Sequence, residues 1–386
     1  MRQLYLAATG PNRGKTTTSL GLIDGFRRRG LHTGFIKPVG QRTVIMDGEP
    51  ADEDAVLMKS IFGLPESYVA MSPVHIPRGF TKAYIAGQVV EDLGARIMEA
   101  HRVFADHDVL LIEGTGHAGV GAVVGMSNAV VAQLLGAPAV IVSEGGVGRP
   151  IDEIVLNASH FAAHGVPVAG AIVNKVRVDE QPGIEDTLRR GLARHGIPLL
   201  GVLPYRPILS NPTLGMVLEG VRGRVIHEGP DLDRVIDGVV IGAMEPHHML
   251  ERIGPGTLVI VPGDREDVIL TITTAHLAGR RPSRLLETLV DTTPGAVEAG
   301  PEGAAIGMVL TGGYEPRPDV LKAIRQAGIF AAFVEDDTYT VASEVHDLLV
   351  KTHAADTEKI VLIKELVWEH LLIDRFHEAA TVAHYA

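Results

Sequence analysis

The chain has 386 residues, 35 basic and 47 acidic, for a formal net charge of −12. Hydrophobic residues at 46% and charged residues at 21% lie near the globular average, which excludes a disordered chain or a long coiled coil and leaves room for two or three domains. There is no cysteine, so disulfides, thiolate catalysis and cysteine-ligated zinc or iron–sulfur centres are excluded, and the acidic balance argues against nucleic acid as a partner, which would need a basic stripe.

The opening run Met1-Arg2-Gln3-Leu4-Tyr5-Leu6-Ala7-Ala8 is too short for a secretory signal. No window approaches ~20 uninterrupted apolar residues. The expectation is a soluble, cytoplasmic chain with no membrane partner. Apolar runs at 4–8, 33–37, 109–112, 139–142, 169–173 and 199–202 read as strands that are apolar on both faces, as a helix-covered parallel sheet demands. Helical periodicity is predicted over 15–29, 86–105, 128–135, 150–164 and 183–195. Residues 1–210 therefore read as a doubly wound parallel-sheet α/β domain. Arg27-Arg28-Arg29 reads as the solvated end of the first helix.

Beyond Ser210-Asn211-Pro212-Thr213, a linker with helix-start chemistry, a second and smaller set of alternating segments includes 239–241, 257–261, 306–310 and 331–334. Residues 211–350 are expected to form a second α/β module, and 351–386 a helical tail packing on either domain.

The strongest local signal is Ala8-Thr9-Gly10-Pro11-Asn12-Arg13-Gly14-Lys15-Thr16-Thr17-Thr18, between the first predicted strand and helix. Glycine-permitted backbone there lets N–H groups of Gly10, Asn12, Arg13, Gly14 and Thr17 surround phosphate at a helix N-terminus. Lys15 then reaches the outer phosphates of ATP, and the Thr16 hydroxyl meets Mg²⁺. Thr9 stands where the first glycine of G-x-x-x-x-G-K-[ST] belongs, and the bland alternative is an ordinary βα turn. Lys37 ends the second predicted strand at the carboxyl edge, where it either neutralises a phosphoryl or carboxylate oxygen or is solvated. Glu113 emerges from an apolar strand onto a glycine-rich loop and needs a cation, with Mg²⁺ the natural candidate. The run Asp52-Glu53-Asp54 supplies a second carboxylate or merely a helix N-terminus. His160 and His164 stand four apart on a helix without a third metal ligand. Glu144-Gly145-Gly146-Val147-Gly148-Arg149 lines a cleft or forms a turn. No G-x-S-x-G elbow occurs.

These residues resemble the dethiobiotin synthetase-like P-loop ATPases (AAA_26 type), and among them the N-terminal region of long phosphate acetyltransferases. Gly14-Lys15-Thr16, Lys37-Pro38-Val39, Asp54-Ala55 and Glu113-Gly114 carry the likeness in order. It implies that Lys15 and Thr16 bind phosphate and metal, that Lys37 contacts a reacting carbamate and phosphate, that Asp54 and Glu113 hold Mg²⁺, and that Asn174 contacts adenine. Pro262-Gly263-Asp264-Arg265, Leu310-Thr311-Gly312-Gly313-Tyr314-Glu315-Pro316 and Asp337-Thr338-Tyr339 resemble the DRTGG domain, although Glu266-Asp267-Val268 replaces Thr-Gly-Gly.

The resemblance implies a homodimeric Mg-ATP-binding protein. It would be an ATPase or ATP-dependent carboxylate- or carbamate-activating ligase acting on a small anionic substrate, with the DRTGG-like module regulatory or oligomerising. The alternative is a non-catalytic nucleotide sensor acting on a phosphate acetyltransferase-type partner. The acetyl-transferring domain of that family would begin where this chain ends, so the chain is not expected to be a phosphate acetyltransferase itself. Gly40-Gln41-Arg42-Thr43 replaces the synthetases' Ser-Gly-rich loop, so the diaminopelargonate site is not reproduced; Arg42 either recognises an anion or is a surface side chain.

Overall fold

Side chains apolar on both faces force the six predicted runs into the middle of a layered structure. In a computed structural model, residues 1–178, 181–229, 231–278, 305–348 and 350–382 are described. They divide into two compact units, one comprising 1–206 with 352–386 and the other 207–351.

The first unit is built on β1 (Arg2–Ala8), β2 (Thr33–Ile36), β3 (Val109–Glu113), β4 (Ala139–Glu144), β5 (Val168–Val176) and β6 (Leu199–Pro204). Their order is β6-β5-β4-β1-β3-β2, all parallel, with Tyr5 opposite both Ile112 and Ala139. The chain runs from β1 out to β2, back to β3 and then across to β4, so β1 lies at the switch point where open α/β sheets bind ligands beyond their carboxyl ends. Helix α1 (Lys15–Arg28) follows β1 directly.

The helix predicted over 86–105 is shorter, Leu93–Arg102, because Gly87 takes φ 70 and Asp92 starts the helix by accepting from the Ala95 N–H at 2.9 Å; a separate, unpredicted helix, Phe80–Ile85, precedes that range. Also unpredicted is the hairpin of Thr43–Met46 with Glu49–Asp52. Its turn residues Asp47 (φ 52) and Gly48 (φ 82) form the Asp-Gly pair that such two-residue turns favour. The hairpin delivers Asp52 to the N-terminus of α2 (Glu53–Phe62), where its carboxylate accepts from the Asp54 N–H.

The tail belongs to the first unit. Helix Thr357–His370 lies against α1, and strand Thr381–Val382 pairs antiparallel with Arg2 and Gln3; the last four residues of the predicted tail lie outside the described residues. Close approach is possible because α1 and β6 offer glycines. A Cβ at Gly21 would collide with Val367, one at Gly25 would stand 2.8 Å from Ile373, and one at Gly201 would stand 2.6 Å from the His370 carbonyl. The three arginines lie on the exposed end of α1, as expected, and are also engaged there. Arg28 pairs with Asp24 and Glu365, Arg29 pairs with Asp374, both guanidinium groups lie over Trp368, and Arg27 donates to the Phe62 carbonyl.

The second unit holds a five-stranded sheet of β7 (Arg224–His227), β8 (Gly238–Ile241), β9 (Thr257–Pro262), β10 (Gly307–Thr311) and β11 (Phe330–Phe333) in the order β7-β11-β10-β9-β8. Only edge strand β7, unpredicted, is antiparallel. Period-two alternation sends Val259 and Val261 into one core, with Val268, Ile272 and Ile324, and Leu258 and Ile260 into another, with Leu214, Val217, Val341 and Val345. Helices therefore cover both faces. Among the described residues, no helix is long and apolar enough to cross a membrane.

Candidate functional site

The carboxyl edge of the first sheet gathers the loop 9–14, the start of α1 and the ends of β2, β3, β4 and β5. Gly14 adopts φ 97, closed to most side chains, and a Cβ there would also collide with the Asn174 amide. Asn12 is also left-handed, at φ 56. These two turns fold the loop over the N-terminus of α1, whose first residues carry amides that no side chain caps. Such a terminus favours anions.

Lys37 is the focus of the charge cluster. Its ammonium pairs with Asp54, lies 3.3 Å from Asp52 Oδ1 and 3.6 Å from Glu113 Oε1, and is only 6% exposed. Thr16 Oγ1 is 3.1 Å from Asp54 Oδ1 and 3.2 Å from Glu113 Oε1. Ser19, one turn further along α1, donates to Glu113 Oε2 at 2.6 Å. The structure thus brings Lys15, Thr16, Lys37, Asp54 and Glu113 to one place. Asp52, from the same acidic run, joins them, and the structure adds Ser19, for which the spacing of four residues after Lys15 was the available signal, since both then face the same side of α1.

The charges do not balance. Two ammonium groups, Lys15 and Lys37, face three carboxylates, and Glu113 is fully buried. Burial, reinforced by Asp54, pushes the Glu113 carboxyl up to about 7 against the pull of Lys37. Burial works to lower Lys37, but Asp54, Glu113 and Asp52 outweigh it and hold the ammonium above its usual range. Lys15 is lowered, by burial first, with Glu113 opposing. Asp52 is raised by burial despite Lys37, whereas at Asp54 Lys37 and Thr16 overcome burial and the carboxyl is lowered.

On the other side of the loop, Asn174 donates from Nδ2 to the Arg13 carbonyl at 3.1 Å and accepts at Oδ1 from the Lys175 N–H at 2.8 Å. Its amide therefore holds the loop. Arg13 pairs with Glu144, and Glu153 accepts from Thr9 and Arg149. Gly10 lies beneath the Arg13 side chain. Gly145 and Gly146 are both at φ 61, turning the chain from β4 into helix Gly148–Ala163. Arg42 is exposed, at the entrance to the hairpin. His160 and His164 pack edge to face at 4.8 Å, and among the described residues no three His, Asp or Glu side chains are grouped to hold a metal by themselves.

At the matching edge of the second unit, Arg265 is used internally, bonding Asp267 at 2.9 and 3.0 Å and reaching the Met244 carbonyl at 3.1 Å. The Asp-Arg turn thus closes on itself.

The chain is 29% identical over 391 residues to the phosphate acetyltransferase of Pseudomonas putida and 27% identical over 393 residues to that of Pseudomonas aeruginosa. Each match covers 96% of this chain and 51% of the relative, so the chain spans about half the length of the curated relatives it matches. Among solved structures, the Pyrococcus furiosus cell division ATPase MinD aligns at 16% identity and TM-score 0.34, covering 54% of this chain and 86% of that one. The CBS and DRTGG domains of the regulatory region of Clostridium perfringens pyrophosphatase align at 16% identity and TM-score 0.28, covering 41% and 63%. Residues 216–348 match the DRTGG domain. Residues 2–213, more than half of the chain, match the AAA domain of the AAA_26 type, and the chain belongs to that family.

Proposed function

We propose that the first unit binds Mg-ATP and acts on its γ-phosphate, as an ATPase or as an ATP-dependent carboxylate- or carbamate-activating ligase of the dethiobiotin synthetase-like group. The observation that carries the reading is the unbalanced buried cluster of Lys15, Lys37, Asp52, Asp54 and Glu113 beside the uncapped start of α1. A buried carboxylate in excess calls for a cation, and an uncapped helix terminus calls for an anion. A metal–polyphosphate supplies both.

The donor set fits Mg²⁺. Thr16 Oγ1, Asp54 and Glu113 are hard oxygens within 3.2 Å of one another through the threonine, and such ions take few protein ligands and leave the rest to phosphate and water. When bound, Mg²⁺ neutralises charge between phosphoryl oxygens. The chain's own residues do the rest. Loop amides and Lys15 position the phosphates, Lys37 exchanges a carboxylate partner for a phosphoryl oxygen, and Ser19 keeps Glu113 oriented. Catalysis of this kind is positioning and charge neutralisation, without a covalent nucleophile.

The test is thermal stabilisation by Mg-ATP. Lys15→Ala should abolish it, because a charge-assisted phosphate contact is worth roughly 1.5–3 kcal/mol; an equal rise in both proteins would overturn the assignment. A second reading is supported by alignment of 96% of the chain with half-length stretches of phosphate acetyltransferases: ATP is sensed rather than consumed, and the chain regulates an acetyltransferase-type partner. ATP binding without phosphate release in the presence of small carboxylates and amines would favour it. Both readings carry a homodimer, to be checked by sedimentation with and without ATP.

A further inference from the structure

Strand β5 breaks its own rule at its carboxyl end. Successive side chains of a strand point to opposite faces, yet Asn174 and Lys175 both reach the phosphate loop. Asn174 Nδ2 donates to the Arg13 carbonyl at 3.1 Å, and Lys175 Nζ donates to the Asn12 carbonyl at 2.9 Å. The cause lies in the backbone: Lys175 sits at φ 55, a left-handed conformation rare for a side-chain-bearing residue. Glu144, at the end of β4, completes the arrangement by pairing with both Lys175, at 3.1 Å, and Arg13. The Lys175 N–H held by Asn174 Oδ1 settles which end of the asparagine amide faces the loop. Strain kept at a position where glycine would be relaxed points to a task for the lysine.

We infer that Lys175 is a positioning residue for the phosphate loop: with Asn174 it holds two consecutive loop carbonyls back against β5, so that the peptide N–H groups between them are presented to the phosphates. A peptide plane carries its carbonyl and N–H on opposite sides, so fixing the carbonyls of residues 12 and 13 orients the amides of 13 and 14. Glu144 keeps the lysine ammonium in place and balances the second cation, Arg13. This inference rests on ATP binding at the loop and names a part of that site that contacts no reacting atom.

The experiment measures affinity for Mg-ATP and for inorganic tripolyphosphate, which has no base, by calorimetry on the full chain. Lys175→Gly should weaken both by about tenfold, the equivalent of one charge-assisted hydrogen bond, while melting no lower than wild type, because glycine accepts the left-handed backbone without strain. Lys175→Arg, which keeps a donor for the Asn12 carbonyl and a partner for Glu144, should stay within a few-fold of wild type for both ligands. Wild-type affinity of Lys175→Gly for both ligands, with Lys15→Ala failing to bind, would overturn the inference and leave the ATP site standing. Loss of ATP affinity with tripolyphosphate affinity intact would also overturn it, placing the lysine on the nucleoside side. If neither ligand binds wild type, the ATP reading itself falls and takes the inference with it.

Discussion

The two units end their parallel strands on glycine-rich turns, but they treat charge in opposite ways at those edges. In the first unit Lys15, Lys37, Asp52 and Glu113 are buried and only partly neutralise one another. In the second, the charges pair near the surface, Arg265 with Asp267 and Arg317 with Glu266, and the buried Thr311 satisfies its hydroxyl on Thr338. Parallel strands provide a carboxyl edge in each unit; uncompensated buried charge singles out the edge where ligand chemistry is to be sought first.

The sharpest way to break that contrast is to remove a cation from each edge. Lys37→Met strands two buried carboxylates and should cost about 3–5 kcal/mol. The sole tryptophan, Trp368, belongs to the first unit, so urea unfolding followed by its fluorescence reads the effect there. A cost below ~1 kcal/mol would mean that Lys37 is solvated in practice, as exposed pairs are.

Next in size is a pH effect. Glu113 has a folded-state pKa of about 7 against an ordinary 4.5. Between those values the folded chain keeps a proton that the unfolded chain has lost, so stability falls as pH rises and the loss, about 3 kcal/mol, is complete above pH ~7. Asp54, lowered overall, acts in the reverse direction at lower pH, its stabilisation being lost as pH falls below its ordinary value. Melting in the absence of Mg²⁺ at pH 5 and pH 8 should therefore show Glu113→Gln gaining on wild type at the higher pH. A constant difference would contradict the raised value.

Gly14→Ala combines a left-handed backbone with a collision against Asn174 and should cost about 1–3 kcal/mol along with Mg-ATP binding; the same urea titration and ATP calorimetry measure it. At the small end, Arg265→Ala in the second unit removes an exposed pair and should change stability by ~1 kcal/mol or less, as read by hydrogen exchange of β9 amides. A larger effect would erase the proposed difference between the edges.

What was legible from the residues was local. The loop before α1 and the double-faced apolar runs identify themselves because strand, turn and helix chemistry are consecutive in the chain. The hairpin at 43–52 went unread despite its Asp47-Gly48 turn, because its strands are short and partly exposed and so stand out as no apolar run. The bond of Asn174 to the loop, the pairing of Glu144 with Lys175, and the gathering of carboxylates around Lys37 depend on contacts across 17 to 161 positions, for which spacing carries no signal. The return of the tail to the first unit was hidden for the same reason. Gly21 and Gly25 look like weak helix residues until the helix that fills their place is known.

That return has a consequence for the newborn chain. The strand that pairs with Arg2 and Gln3, and the two helices that cover Gly21 and Gly25, are translated only after residues 207–351. At ribosomal speeds this is a delay on the order of ten seconds, during which α1 presents an uncovered small-residue face while every strand of the second sheet becomes available. The unit that starts first is thus the one that finishes last, and a released chain truncated after residue 351 should contain a folded second unit and a first unit still lacking its closing helices.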